Sequence, residues 1–173
     1  MRTQRGLSLV ELMVVVIAVG ILAGALLERV LPLIGRAQRT AFVQVRVDLQ
    51  TALLLKAAER ITRGEGATLP SLAGVNPMTL LLTPPANYVG SFARPADEDV
   101  PGASWYFDEH SRRLVYRVGR YTRFDPQGGP PGRIELTTEF VFEDRDGDGS
   151  FDPPRDEFEG LRLTPVHPFA WPD

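Results

Sequence analysis

The chain has 173 residues, with 19 basic and 22 acidic side chains and a formal net charge of −3. That length holds one domain and not comfortably two, and that charge excludes the strongly basic footprint of a nucleic-acid binder. With no cysteine, disulfides, zinc-thiolate sites and thiol nucleophiles are excluded. The two histidines, His110 and His167, are too far apart to build a metalloprotease helix.

The first element is a short basic segment. MRTQRG carries Arg2 and Arg5 and no acid. Leu7 to Leu27 follows as an apolar run with a single charge, Glu11. At about 1.5 Å per residue this run makes a helix of roughly 30 Å, the thickness of a bilayer core. Positive charge on the short N-terminal side keeps that end cytoplasmic and sends the rest across. A secretory signal peptide shares the basic start and the apolar core. Here the run is longer than a usual signal core, and it continues as helix where an A-x-A-like cleavage site would fall. A plain anchor helix is the other alternative, and it leaves Glu11 unexplained. A carboxylate at the middle of a membrane helix costs about 2.5–3.5 kcal/mol. Near the end of the span the cost is lower, and a partner is still called for.

The string Arg5-Gly6-Leu7-Ser8-Leu9-Val10-Glu11 resembles the processing site of the type IV pilin and type II secretion pseudopilin family. In that family a basic leader ends in Gly, and a membrane peptidase cuts after it. The new N-terminal amine is methylated, and a Glu lies four residues beyond the cut. Gly6, Leu7 and Glu11 match these positions. Leu7 departs from the Phe that usually follows the cut. The resemblance implies a leader over residues 1–6, cleavage between Gly6 and Leu7, and N-methylation of Leu7. It also implies an assembly role for Glu11, whose carboxylate would meet the N-terminal amine of a neighbouring subunit. A desolvated pair of that kind adds little net stability but penalises wrong register. The implied partners are prepilin peptidase, other pilin or pseudopilin subunits and an inner-membrane assembly platform.

Charges begin at Glu28 and Arg29, yet helical spacing persists. Phe42, Val45, Leu49, Ala52 and Lys56 mark one stripe. Val43, Val47, Leu54, Ala58 and Ile61 mark another, and together they predict a wide apolar face. The helix is expected over 7–63, with its membrane part at about 7–27. Gly64-Glu65-Gly66 ends it. Pro32 removes one backbone hydrogen bond. Either a simple kink at the membrane exit or a segment that opens locally is expected there.

Residues 64–173 are expected to form a periplasmic head. Pro32 and Phe42 are the only proline and the only aromatic before Gly66. Thr68 to Pro101 is rich in turn formers, with a helical turn at Met78–Leu82. Ser104–Asp108 and Leu114–Val118 read as a hairpin through Glu109-His110-Ser111-Arg112. Ile134–Phe142 alternates, with Ile134, Leu136, Thr138, Phe140 and Phe142 on one face. Leu161-Arg162-Leu163 reads as a short fourth strand. The expected fold is α+β, a long N-terminal helix packed on a small antiparallel sheet of three or four strands. By the resemblance it is pilin-like.

Residues 139–159 hold nine acids against two arginines. Asp144, Asp146 and Asp148, followed by Gly149, match the start of a D-x-D-x-D-G calcium loop. Ser150 could add its carbonyl and Asp152 a carboxylate, so the candidate Ca²⁺ ligands are Asp144, Asp146, Asp148, Ser150 and Asp152. The twelfth position, a bidentate Glu in an EF-hand, is Arg155 here; Asp156 and Glu157 follow and could substitute for it, though Pro153-Pro154 limits the path. The alternative is a solvated acidic turn. Arg112, Arg113, Arg117, Arg120 and Arg123 read as a modest basic patch, and both histidines as surface residues.

Two function classes remain. One is a structural subunit, a pseudopilin or minor pilin of a type II secretion pseudopilus or type IV pilus, anchored in the inner membrane. The other is a membrane-anchored periplasmic binding module, calcium-dependent, that forms no filament. An enzyme is not expected, because no nucleophile–base pair or cofactor motif occurs.

Overall fold

The computed structural model describes residues 8–172 apart from 94, 97 and 98. Its first element, α1, runs from Leu9 to Thr62, 54 residues, about 80 Å at the α-helical rise. Ser8 caps it, and its Oγ accepts the Glu11 N–H at 3.2 Å. Ser8-Leu9-Val10-Glu11 thus has the pattern of a capping box, with an acid where the helix dipole favours it. At the other end Gly64 turns out of the helix at φ +74°. The Gly64 N–H donates to the Ile61 carbonyl, and the Glu65 N–H to that of Arg60. These paired bonds make a Schellman motif, and glycine takes its left-handed position without strain. The helix runs unbroken through Pro32. The proline removes its own hydrogen bond without opening the turn.

The two halves of α1 differ in what covers them. Its apolar N-terminal part is wholly exposed to its surroundings. The C-terminal half buries Phe42, Leu49, Leu53 and Ala57. This stripe corrects the expected pair of stripes. Leu53 and Ala57 take the places given to Ala52 and Lys56, because successive four-residue steps from Leu49 stay on one face. Val43, Val47, Leu54 and Ile61 remain exposed. The head covers one side of the helix only, so half of the wide apolar face has no cover.

The sheet has five strands in the order β1-β2-β3-β4-β5. They are β1 Tyr88–Phe92, β2 Ser104–Asp108, β3 Arg113–Arg117, β4 Arg133–Glu143 and β5 Glu157–Pro165. The expected antiparallel sheet is present as β2–β5; the strand count differs, since β1 is an additional fifth strand that pairs parallel to β2. Gly90 at its centre and the proline-rich flanks hide it from propensity. The β5 strand also extends well beyond Leu161–Leu163. Two short tight helical segments, Gly66–Leu72 and Pro77–Leu80, lie between helix and sheet.

Register decides which side chains meet the helix. Trp105 pairs with Tyr116 and Phe107 with Leu114, and Leu136 and Ile134 continue the row on β4. With Leu161 and Leu163 these residues form one core with Phe42, Leu49, Leu53 and Ala57. Phe42 stacks on Trp105, with centroids 5.1 Å apart and rings 8° from parallel. The alternate face carries Tyr106 and Val115. There Val100, from the crossover between β1 and β2, closes a second small cluster.

Two features lock the sheet to α1. The Gln50 amide donates to the Leu161 carbonyl at 2.6 Å, and its oxygen accepts the Leu163 N–H at 2.9 Å. It thereby satisfies the outer edge of β5 as another strand would. The C-terminal tail then crosses back, bridged from Ala170 to Asp125. It sets Phe169 and Trp171 against Phe42, at centroid distances of 5.8 and 5.7 Å.

Candidate functional site

Gly6 and Leu7, the expected cleavage pair, lie outside the described residues. Glu11 occupies the first turn of α1, with its backbone N–H held by Ser8. Leu9, Val10, Leu12 and Met13 around it are exposed. An acid inside an uncovered apolar surface needs a bilayer edge or another protein to receive it.

The acidic loop joins β4 to β5. At its base Arg145 bridges Glu143 and Glu157, the acids that end one strand and begin the next. Asp144 folds the loop over itself. Its Oδ1 accepts the Gly147 N–H at 2.7 Å and its Oδ2 the Gly149 N–H at 2.9 Å. Gly147 and Gly149 stand at φ +77° and +79°, a backbone region that other residues enter at a cost. The loop then turns back at Asp152. Its carbonyl accepts the N–H groups of Arg155 and Asp156, which carries Asp156 inward.

Asp156 is buried, 6 % exposed. Its Oδ1 accepts the Arg145 N–H at 3.1 Å and its Oδ2 the Asp152 N–H at 2.7 Å. Oxygens of Asp144, Asp146 and Asp156 all lie within 4.8 Å of one another. The other expected ligands lie outside this trio. Asp148 Oδ1 instead accepts the Ser150 N–H at 2.7 Å, and Asp152 contributes to the turn through its backbone. Arg155, at the twelfth position, lies 3.6 Å from Asp146. Of the two acids that follow the twelfth position, Asp156 is the one that joins Asp144 and Asp146.

The trio is electrostatically uneven. The Gly149 and Gly147 N–H groups hold the Asp144 carboxyl below the usual aspartate range. Desolvation pushes Asp146 up, and the carboxylates of Asp148, Asp156 and Asp144 add to that. Carboxylate oxygens this close suit a hard cation.

Three arginines of the expected basic patch are taken up in structural contacts. Arg112 donates to the Gly74 and Ala73 carbonyls. Arg113 pairs with Glu135 at 2.6 Å, and Arg117 donates to the Val100 carbonyl. His110 and His167 are exposed. Asp108 closes the β2–β3 turn, accepting from the N–H of His110 at 2.9 Å.

A long helix, apolar and uncovered in its first half and packed on a mostly antiparallel sheet in its second, defines an α+β, pilin-like fold. Residues 1–27 match the family model of the prokaryotic N-terminal methylation motif, the prepilin-type leader of type IV pilin-like proteins. No curated protein and no solved structure matches the chain. A prepilin-type leader implies processing by prepilin peptidase and assembly with other pilin subunits. The motif and the apolar helix fit a membrane-anchored protein of this kind.

Proposed function

We infer that the protein is a structural subunit, a pseudopilin or minor pilin. In this reading it is cut between Gly6 and Leu7 and assembled from the inner membrane into a type II secretion pseudopilus or type IV pilus. The observation that carries this reading is the continuity of two surfaces on one helix. The methylation motif opens an uncovered apolar segment. Val43, Val47, Leu54, Leu55 and Ile61 extend uncovered apolar surface up the same helix beside the head. A plain anchor for a soluble module has no use for apolar side chains outside the bilayer. A subunit packed helix against helix buries both. The test is Val47→Asp with Leu54→Asp. Both side chains face away from the core, so the head keeps its melting temperature. Two charges in a helix–helix contact lower filament yield at least tenfold. Wild-type filament yield from this variant would contradict the reading.

The acidic loop is proposed to hold Ca²⁺. The residues fit that ion, since three carboxylates converge and Asp156 is held in place by two backbone N–H groups. Bound there, the ion would neutralise a cluster that otherwise repels itself. Asp144, Asp146 and Asp156 would hold it, and it would tie β4 to β5. The full chain in detergent should melt several degrees higher in millimolar Ca²⁺, and Asp156→Asn should lose that shift. Acid should weaken binding, with Asp146 taking its proton above the usual aspartate range and Asp144 below it. An unchanged melting temperature in millimolar Ca²⁺ leaves the loop as a solvated turn.

A further inference from the structure

A cavity of about 480 Å³ opens where α1 enters the head. Tyr121, Trp171 and Pro172 line it from the head, and Glu28, Leu31 and Pro32 from the helix. Tyr121 belongs to the loop between β3 and β4, while Trp171 and Pro172 belong to the C-terminal tail. Both segments are held in place. Thr122 donates its hydroxyl to the Gln38 side chain. A Cβ on Gly35 would stand 2.9 Å from the Tyr121 carbonyl oxygen, so glycine lets the loop land this closely on the helix. The tail is held by the Asp125–Ala170 bridge and by Trp171 packing on Phe42. Although its backbone is fixed, Tyr121 remains 57 % exposed.

The loop lands where the surface of α1 changes character. Below Gly35, the apolar side chains of Val30, Leu33 and Ile34 are exposed. Above it come Arg36, Gln38, Arg39 and Thr40. With the apolar run that ends at Leu27 in the hydrocarbon core, the headgroup layer on that side is about 5–7 Å deep. That depth corresponds to about four or five helical residues. Glu28, Leu31 and Pro32 lie in this layer, and Leu33 and Ile34 border it from above. Helical side chains lean toward the N-terminus, which carries these two down toward the bilayer. Tyrosine and tryptophan, each an apolar ring with a polar tip, settle at the membrane–water interface. Charged groups of both signs also line the cavity. The headgroup layer accepts them, so the contact needs no net charge.

We propose that the underside of the head, built by Tyr121, Trp171 and Pro172, seats in the headgroup layer of the bilayer that anchors α1. The partner is the phospholipid surface itself, met by aromatic rings beside the last apolar turns of the helix. The seat fixes the height of the head on the membrane. It requires membrane anchoring of α1 and forms whether or not the subunit assembles.

The chain has no cysteine, so a single introduced thiol can carry a fluorescent label. The full chain is reconstituted in phosphatidylcholine vesicles that contain a nitroxide lipid, with the nitroxide either on the headgroup or on the acyl chain. Tyr121→Cys is the reporter, and its exposed side chain leaves the core untouched. Pro172→Cys, on the other rim of the cavity, gives a second reading. Leu82→Cys is the control above the membrane. Leu82 is fully exposed and lines a groove with α1 residues from Asp48 upward, about 20 Å or more above Gly35. Val19→Cys is the control within the span. The headgroup nitroxide should quench the labels at 121 and 172 at least threefold more than the label at 82. The acyl-chain nitroxide should quench the label at 19. Quenching at 19 with none at 121 and 172 beyond that at 82 would overturn the seat and leave the anchor standing. No quenching at 19 would remove the anchor and the seat together. Protection of the labels at 121 and 172 only in assembled filaments would also overturn the proposal, and would assign this face to a neighbouring subunit.

Discussion

Phe42→Ala is expected to destabilise the head by about 3–5 kcal/mol. Phe42 is 1 % exposed and is the only aromatic residue on α1. It meets aromatic rings from two strands and from the C-terminal tail. It stacks on Trp105 of β2, tilts against Tyr116 of β3, and meets Phe169 and Trp171 of the tail. Alanine leaves a cavity among rings anchored on separate strands, which cannot collapse together to fill it. A small domain has about 5–15 kcal/mol of stability in total, so the variant is marginal at best. Urea unfolding followed by tryptophan fluorescence measures it, because Trp105 and Trp171 both report on this cluster. A loss under about 1 kcal/mol would show that the helix is not held to the sheet through this ring.

The second large effect is at Glu11. Glu11→Ala should leave the leader cleaved and lower filament yield at least tenfold. Two roles for the side chain are separable. In the first turn of α1 it completes a Ser-x-x-Glu capping pattern. In a filament it is proposed to meet the cationic N-terminus of a neighbour. Glu11→Gln keeps the capping geometry and removes the charge. Failure of the glutamine variant to assemble assigns the charge to the contact between subunits. Normal assembly by glutamine, with failure by alanine, would leave capping as the role of Glu11.

The fold was legible where one period ran long enough. The 54-residue helix announced itself through its apolar run and its glycine stop. The β2–β3 hairpin and β4 announced themselves through alternation. What stayed hidden has physical causes. The β1 strand is five residues long with glycine at its centre, and its parallel partner lies across a crossover that no local pattern marks. The face of α1 that is buried could not be chosen from sequence, because both stripes are apolar and only the placement of the sheet decides between them. Pro32 breaks a rule of helix interiors, yet the turns on either side carry the helix through it.

The sites divide in the same way. The N-terminal signal is local, a fixed spacing of Gly6, Leu7 and Glu11 before an apolar run, so it could be read directly. The acidic loop is only partly local. Asp144 and Asp146 were placed by spacing, whereas Asp156 arrives through a turn at Asp152 that returns the chain on itself. The cavity lined by residues of 28–39, 121–123 and 171–172 was not legible either, because only folding brings those segments together.

The most direct measurement is the N-terminus of the protein after expression with and without prepilin peptidase. Intact-mass and N-terminal analysis should find a chain that begins at Leu7 and carries a methyl group on its amine when the peptidase is present. MRTQRG should be retained when it is absent. Retention of the leader in both cases, or cleavage at a site within or beyond the apolar run, would contradict the account.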